Sequence, residues 1–93
     1  MVKVVGNGEV ELSNYPNPAQ DMTTIDYLVA ENGHVVVTLT DASGRLLDKL
    51  VDGNQATGHY KVEVNVSTLQ SGIYFYTLSV NGKVGVTQKL IKQ

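Results

Sequence analysis

Residues 58–66 read G-H-Y-K-V-E-V-N-V. Tyr60, Val62, Val64 and Val66 alternate with Lys61, Glu63 and Asn65, so every second side chain is apolar. Successive side chains on a strand point to opposite faces of a sheet, so this stretch predicts a strand with one face in a core and the other in water. The pattern decides the fold class because it recurs. Val35, Val37 and Leu39 alternate with Val36, Thr38 and Thr40, and Tyr74, Tyr76, Leu78 and Val80 form a third such face. The opposite side of that third run carries Ile73 and Phe75, which predicts a strand covered on both faces at one end. No segment has helical periodicity, and Ser67–Gln70 is long enough for a single turn.

Turn signals separate these runs at intervals of roughly 8–12 residues, the spacing of all-β domains. Asn32-Gly33 and Asn81-Gly82 each supply the residues of a type I′ turn and predict two tight hairpins. Asp41-Ala42-Ser43-Gly44 predicts a four-residue hairpin loop, with Asp opening the turn and Gly44 in the left-handed position. Residues 52–58 predict a longer loop, and Gln70-Ser71-Gly72 a short one. Strands are then expected near 9–14, 22–30, 34–41, 44–51, 58–66, 72–80 and 83–92. Seven short antiparallel strands predict an all-β, immunoglobulin-like β-sandwich. Residues 1–8 read as a linker or cloning remnant, flexible at Gly6-Asn7-Gly8, and residues 9–93 as the one domain.

Composition narrows the function. A chain of 93 residues makes one small domain with one modest core. It has no cysteine, which removes disulfides, thiolate catalysis and thiolate zinc sites. No apolar run is long enough for a membrane-spanning helix, and M-V-K-V-V-G-N-G turns polar too early for a signal peptide. Residues 1–63 carry nine acids and four bases, whereas residues 64–93 carry Lys83, Lys89 and Lys92 and no acid. Three lysines are too few for a nucleic-acid partner and suit the guarding of a sheet edge.

Candidate chemistry is sparse. His34 and His59 lack metal-ligand spacing and read as exposed loop-edge residues. None of the five serines lies in a nucleophile elbow. Asp41 and Asp52 read as turn starters. There is no tryptophan, and Tyr60, Tyr74 and Tyr76 occupy core-phase positions, so a carbohydrate platform is not advertised. No catalytic, cofactor-binding or metal-binding residue is assigned, and no enzyme is expected.

Two features remain. The only prolines, Pro16 and Pro18, flank Asn17 in N-Y-P-N-P-A. Proline fixes φ, lacks an N–H and restrains the residue before it, so this segment is expected to be stiff and extended, ending edge pairing of the first strand. Gly58-His59-Tyr60 and Gly72-Ile73-Tyr74 repeat a Gly-x-Tyr pattern at strand starts, a structural device similar in kind to a tyrosine corner.

In order, Tyr15-Pro16-Asn17-Pro18-Ala19, Thr24-Ile25-Asp26-Tyr27, Val37 to Arg45, Gly58-His59-Tyr60, Leu69 to Tyr74 and Lys89-Leu90-Ile91-Lys92 resemble the type A C-terminal sorting domain of the type IX (Por) secretion system of Bacteroidetes. The resemblance runs from about residue 12 to residue 93. It implies a seven-stranded sandwich that directs a larger, N-terminally placed cargo across the outer membrane, to the cell surface or the medium. It also implies two partners, the outer-membrane translocon and a sortase-like peptidase that cuts the domain away. Carried over by motif, the implied recognition residues are Pro16, Asn17, Pro18, Gly44, Gly58, Tyr60, Gly72, Tyr74, Lys89, Leu90, Ile91, Lys92 and Gln93. The tail has one residue beyond the usual final lysine. Processing is expected before the first strand, at Gly6-Asn7-Gly8. A last strand at a sheet edge would suit reading by strand addition or pairing with a second copy. The alternatives from another class are an immunoglobulin-like module binding carbohydrate or protein, and a passive spacer.

Overall fold

The computed structural model describes residues 12–93. The expected linker at 1–8, the processing point within it and the start of the first strand near residue 9 lie outside the described residues. Seven strands follow in order: β1 Leu12–Tyr15, β2 Met22–Val29, β3 Gly33–Asp41, β4 Leu46–Gln55, β5 Gly58–Asn65, β6 Gly72–Val80 and β7 Lys83–Lys92. They form two antiparallel sheets, β1-β2-β5 and β4-β3-β6-β7. This is the sandwich expected from the alternation.

The core lies between the sheets. Ile25, Tyr27 and Val29 of β2 and Val64 of β5 meet Val35, Val37 and Leu39 of β3, Tyr74, Tyr76 and Leu78 of β6, and Leu90 of β7. Each fully buried side chain of this kind stabilises the fold by about 1.5–3 kcal/mol. Tyr27 stacks on Tyr60, with ring centroids 5.5 Å apart. Among the described residues, no buried side-chain polar atom lacks a partner.

The structure departs from these expectations at Asn32-Gly33, at residues 52–55 and at β6. Asn32-Gly33 is not a hairpin: β2 and β3 belong to different sheets, and neither residue has positive φ. Asn32 instead accepts the Thr57 N–H with Oδ1, at 2.8 Å. Only Asn81-Gly82, with φ of 53° and 80°, makes the expected tight turn. Second, residues 52–55 are strand, not loop. Asp52, Gly53, Asn54 and Gln55 pair with Val36, Val35, His34 and Gly33, so pairing with β3 overrides their turn-prone composition. The register shift between Val37 and Thr38, which passes over Leu50, lets the neighbours Leu50 and Val51 both pack against the core, as bulges do. Third, β6 is not covered on both faces: Ile73 is 46% exposed and Phe75 is half-buried.

The Asp41–Gly44 loop is as expected. Gly44 has φ of 91°. The Asp41 carboxylate accepts from the Ser43 and Arg45 N–H groups and from the Ser43 hydroxyl. The Ser43 hydroxyl above all, then the Arg45 N–H, hold the Asp41 carboxyl below its usual range.

Candidate functional site: the proline segment and the C-terminal tail

β7 is an edge strand, and its last residues are not bare. After β1, residues 16–18 leave the sheet, and both the Tyr15-Pro16 and Asn17-Pro18 bonds are cis. Residues 16–18 run as bends and not as the extended continuation of β1 that the prolines predicted, and the segment reaches the opposite sheet. Asn17 Nδ2 donates to the Lys89 carbonyl at 3.2 Å, and Asn17 Oδ1 accepts the Ile91 N–H at 3.0 Å. Ala19 N–H donates to the Ile91 carbonyl at 2.7 Å, and Gln93 N–H to the Ala19 carbonyl at 2.8 Å. A side-chain amide carries the same donor and acceptor as a peptide group. Asn17 supplies that pair beside Pro18, which has no N–H to give. Ala19 then makes a parallel bridge to Lys92 and is fully buried.

The segment is also held from inside. Tyr76 OH donates to Asn14 Oδ1 at 2.8 Å, Asn14 Nδ2 to Thr23 Oγ1 at 3.0 Å, and the Thr23 hydroxyl to the Pro16 carbonyl at 3.1 Å. Thr23 and Tyr76 are each 1% exposed. Burial pushes the Tyr76 hydroxyl pKa well above its ordinary value. A buried polar network of this kind stabilises only when every member is satisfied, and here each is.

The second Gly-x-Tyr element belongs to the same place. Gly72, Ile73 and Tyr74 pair with Lys92, Ile91 and Leu90. Gly72 has φ of 154°, and a Cβ there would meet nothing within 4 Å, so backbone conformation, not space, favours glycine. Tyr74 OH donates to the Gln70 carbonyl at 2.6 Å, and Lys92 Nζ to the Leu69 carbonyl at 3.2 Å. Leu90 is fully buried.

Pro16, Asn17, Pro18, Gly72, Tyr74 and Lys89 to Gln93 are therefore one cluster, and the Gly44 hairpin lies at the same end because Asp41 pairs with Tyr74. Gly58 and Tyr60 are not part of it. They repeat the local geometry, with φ of 149° at Gly58 and Tyr60 OH donating to the Ala56 carbonyl at 2.7 Å. But Gly58 pairs with Val29, at the opposite end of the sandwich.

The sequence reading missed Asn14, Ala19, Thr23 and Tyr76 as supports of this cluster. One signal was available: Asn14 shares the inward phase of Leu12, and a polar side chain there needs a buried partner. At the far end, β3–β4 pairing brings Asp52 to His34, 2.6 Å from its Nε2, and this contact holds the Asp52 carboxyl below its usual range. Among the described residues, no three His, Cys, Asp or Glu are grouped to hold a metal ion.

A family model described as the secretion system C-terminal sorting domain matches residues 13–93. Among solved structures, that of dimeric latent PorU from Porphyromonas gingivalis is similar, with a TM-score of 0.71 over 89% of this chain at 17% identity. The chain spans 9% of the length of that protein's chain, and the likeness establishes a shared fold. No curated protein matches the sequence.

Proposed function

The chain belongs to the type IX secretion C-terminal sorting domains, whose role is export across the outer membrane to the cell surface or beyond, and on that premise we propose how this one acts. It is a non-catalytic address carried at the C-terminal side of a cargo. The outer-membrane translocon reads the proline segment and the tail as one surface, and a sortase-like peptidase then cuts N-terminal to β1. The observation that carries this reading is the joining of Asn17 to Lys89 and Ile91, residues 72 and 74 positions away. A spacer needs no such joint. Gly44, Gly58 and Tyr60 serve the fold that presents the surface, with Gly72 and Tyr74 setting the turn against which the tail lies.

The test is export of a fluorescent protein fused ahead of the full chain and given an inner-membrane signal peptide. It is expressed in a Bacteroidetes host with and without a working type IX translocon. Deleting Lys89–Gln93 is a poor control, because it takes Leu90 from the core. Lys89→Ser with Ile91→Ser leaves Leu90 in place. Reporter outside the cell only with the parent tail and a working translocon is the expected result. Folded parent reporter retained in the periplasm of a competent host would refute the proposal.

A further inference from the structure

We propose that the protein partner reading the C-terminal tail docks on the outer face of the four-stranded sheet, over Leu46, Ile73, Phe75, Lys89 and Ile91. The proposal rests on the sorting function above and adds Leu46 and Phe75, which lie outside the tail and the sequence motifs, and Ile73, the middle residue of the second Gly-x-Tyr element.

It follows from what the tail has left to offer. The Lys89 carbonyl, both peptide groups of Ile91 and the Gln93 N–H are bonded to Asn17 or Ala19. A partner cannot add a strand there without displacing those bonds, so the folded tail is read through side chains. Leu90 faces the core with no exposure, and Lys92 is turned to the Leu69 carbonyl. Lys89 and Ile91 remain, on the outer face.

The register names their neighbours. Ile91 lies beside Ile73, and Lys89 beside Phe75. The second row continues through Thr40 to Leu46. Leu46 is 53% exposed and Ile73 46%. The solvated face of an antiparallel sheet is ordinarily polar, whereas here exposed Ile73 has half-buried Phe75 and Ile91 beside it and Leu46 beyond Thr40, an apolar grouping of the kind that marks an interaction site. The next row, Lys49, Thr38, Thr77 and Thr87, is polar again and bounds the patch. The patch therefore adjoins the tail through Ile73 and Phe75 and reaches Leu46 across the sheet, on the opposite edge strand β4.

Charge describes the partner. β7 carries three lysines, neither β6 nor β7 carries an acid, and Lys89 stands inside the patch. The complementary surface has an apolar socket for Phe75 and the two isoleucines, and a carboxylate within reach of Lys89.

The experiment uses the same full-chain reporter fusion. Leu46→Thr combined with Ile73→Thr keeps the tail and the Asn17 bonds intact. We expect export to fall about tenfold, as for loss of central anchors in an interface, with the thermal midpoint of the purified fusion unchanged. Val84→Thr, at the far row of the same face and 70% exposed, should export normally. A photo-crosslinking residue at Ile73 should capture a translocon component in intact cells, and the same residue at Lys61 on the other sheet should not. Parental export by the folded double variant would overturn the proposal and leave the sorting function standing. So would crosslinks only to a second copy, to the reporter or to lipid. Failure of the parent itself to leave a competent host would instead overturn the sorting function on which the proposal depends.

Discussion

The two halves of β7 share one strand and one sheet edge, yet one is closed and the other open. Lys89–Gln93 is bonded to Asn17 and Ala19 on its outer side. Lys83–Gln88 has no such cover among the described residues, and apart from Val86 its side chains are exposed. The open half is protected as edges usually are, by a lysine and by a register shift after Leu78. The closed half is protected by a segment from the start of the domain. The closed half therefore has a built shape, and the open half has only a pairing partner. A homodimer through β7, if it forms, has the open half as its available edge.

Four measurements test this contrast. The largest effect is expected at Leu90, whose side chain is fully buried. Leu90→Ala should cost about 3 kcal/mol, seen as a lower urea midpoint. A cost below that of an ordinary surface change would mean that the closed half is not anchored in the core.

Tyr76→Phe should come next, at about 1–2 kcal/mol, because Asn14 Oδ1 loses its donor. The pH dependence has a definite sign. Burial raises the folded-state pKa of Tyr76 above 10.0, so the folded state holds this proton more tightly than the unfolded chain. That contribution is complete below about pH 10 and is lost as the pH rises further. Burial raises Tyr27 as well, partly offset by its hydrogen bond to Gln55. Tyr76→Phe should therefore flatten part of the alkaline decline, read as unfolding midpoints across that range. An unchanged alkaline profile would remove Tyr76 from the account.

Asn17→Ala should cost about 1 kcal/mol and act locally. Hydrogen exchange should quicken at the Ile91 N–H, with the Gln93 N–H following. Leu78 and Val86, in the open half's own pairing, should be unaffected. Equal acceleration in both halves would erase the distinction between them. The smallest effect belongs to Thr87→Val. Its hydroxyl meets only Thr77, in an exposed position, and the change should stay within about 0.5 kcal/mol. A larger loss would show that the open half is held by more than its ladder.

Much of the fold was legible. Alternation at Tyr60–Val66, Val35–Leu39 and Tyr74–Val80 marked strands with one buried face, and Leu39, Val64, Tyr76 and Leu78 are indeed core. The Asp41–Gly44 loop and the Asn81-Gly82 turn were read correctly because their residues act on their own backbone. Asn32-Gly33 misled because its turn chemistry is real but its two strands go to different sheets. Residues 52–55 misled because their composition suits a turn while β3 offers them a ladder. Of the candidate site, the motifs were visible and their convergence was not.

The periodicity of the strands, the local turns that need particular φ values and the motifs shared with a family of sorting domains are all written in the order of residues. Tertiary pairing was needed to bring Pro16–Ala19 onto the edge of Lys89–Gln93 and to set Ile73 and Phe75 beside Ile91 and Lys89, with Leu46 at the far end of the same row. Local patterns follow from the preferences of each residue and its near neighbours. Pairing between segments more than seventy residues apart is selected by the whole packed molecule, through donors and acceptors that must be satisfied once water is gone.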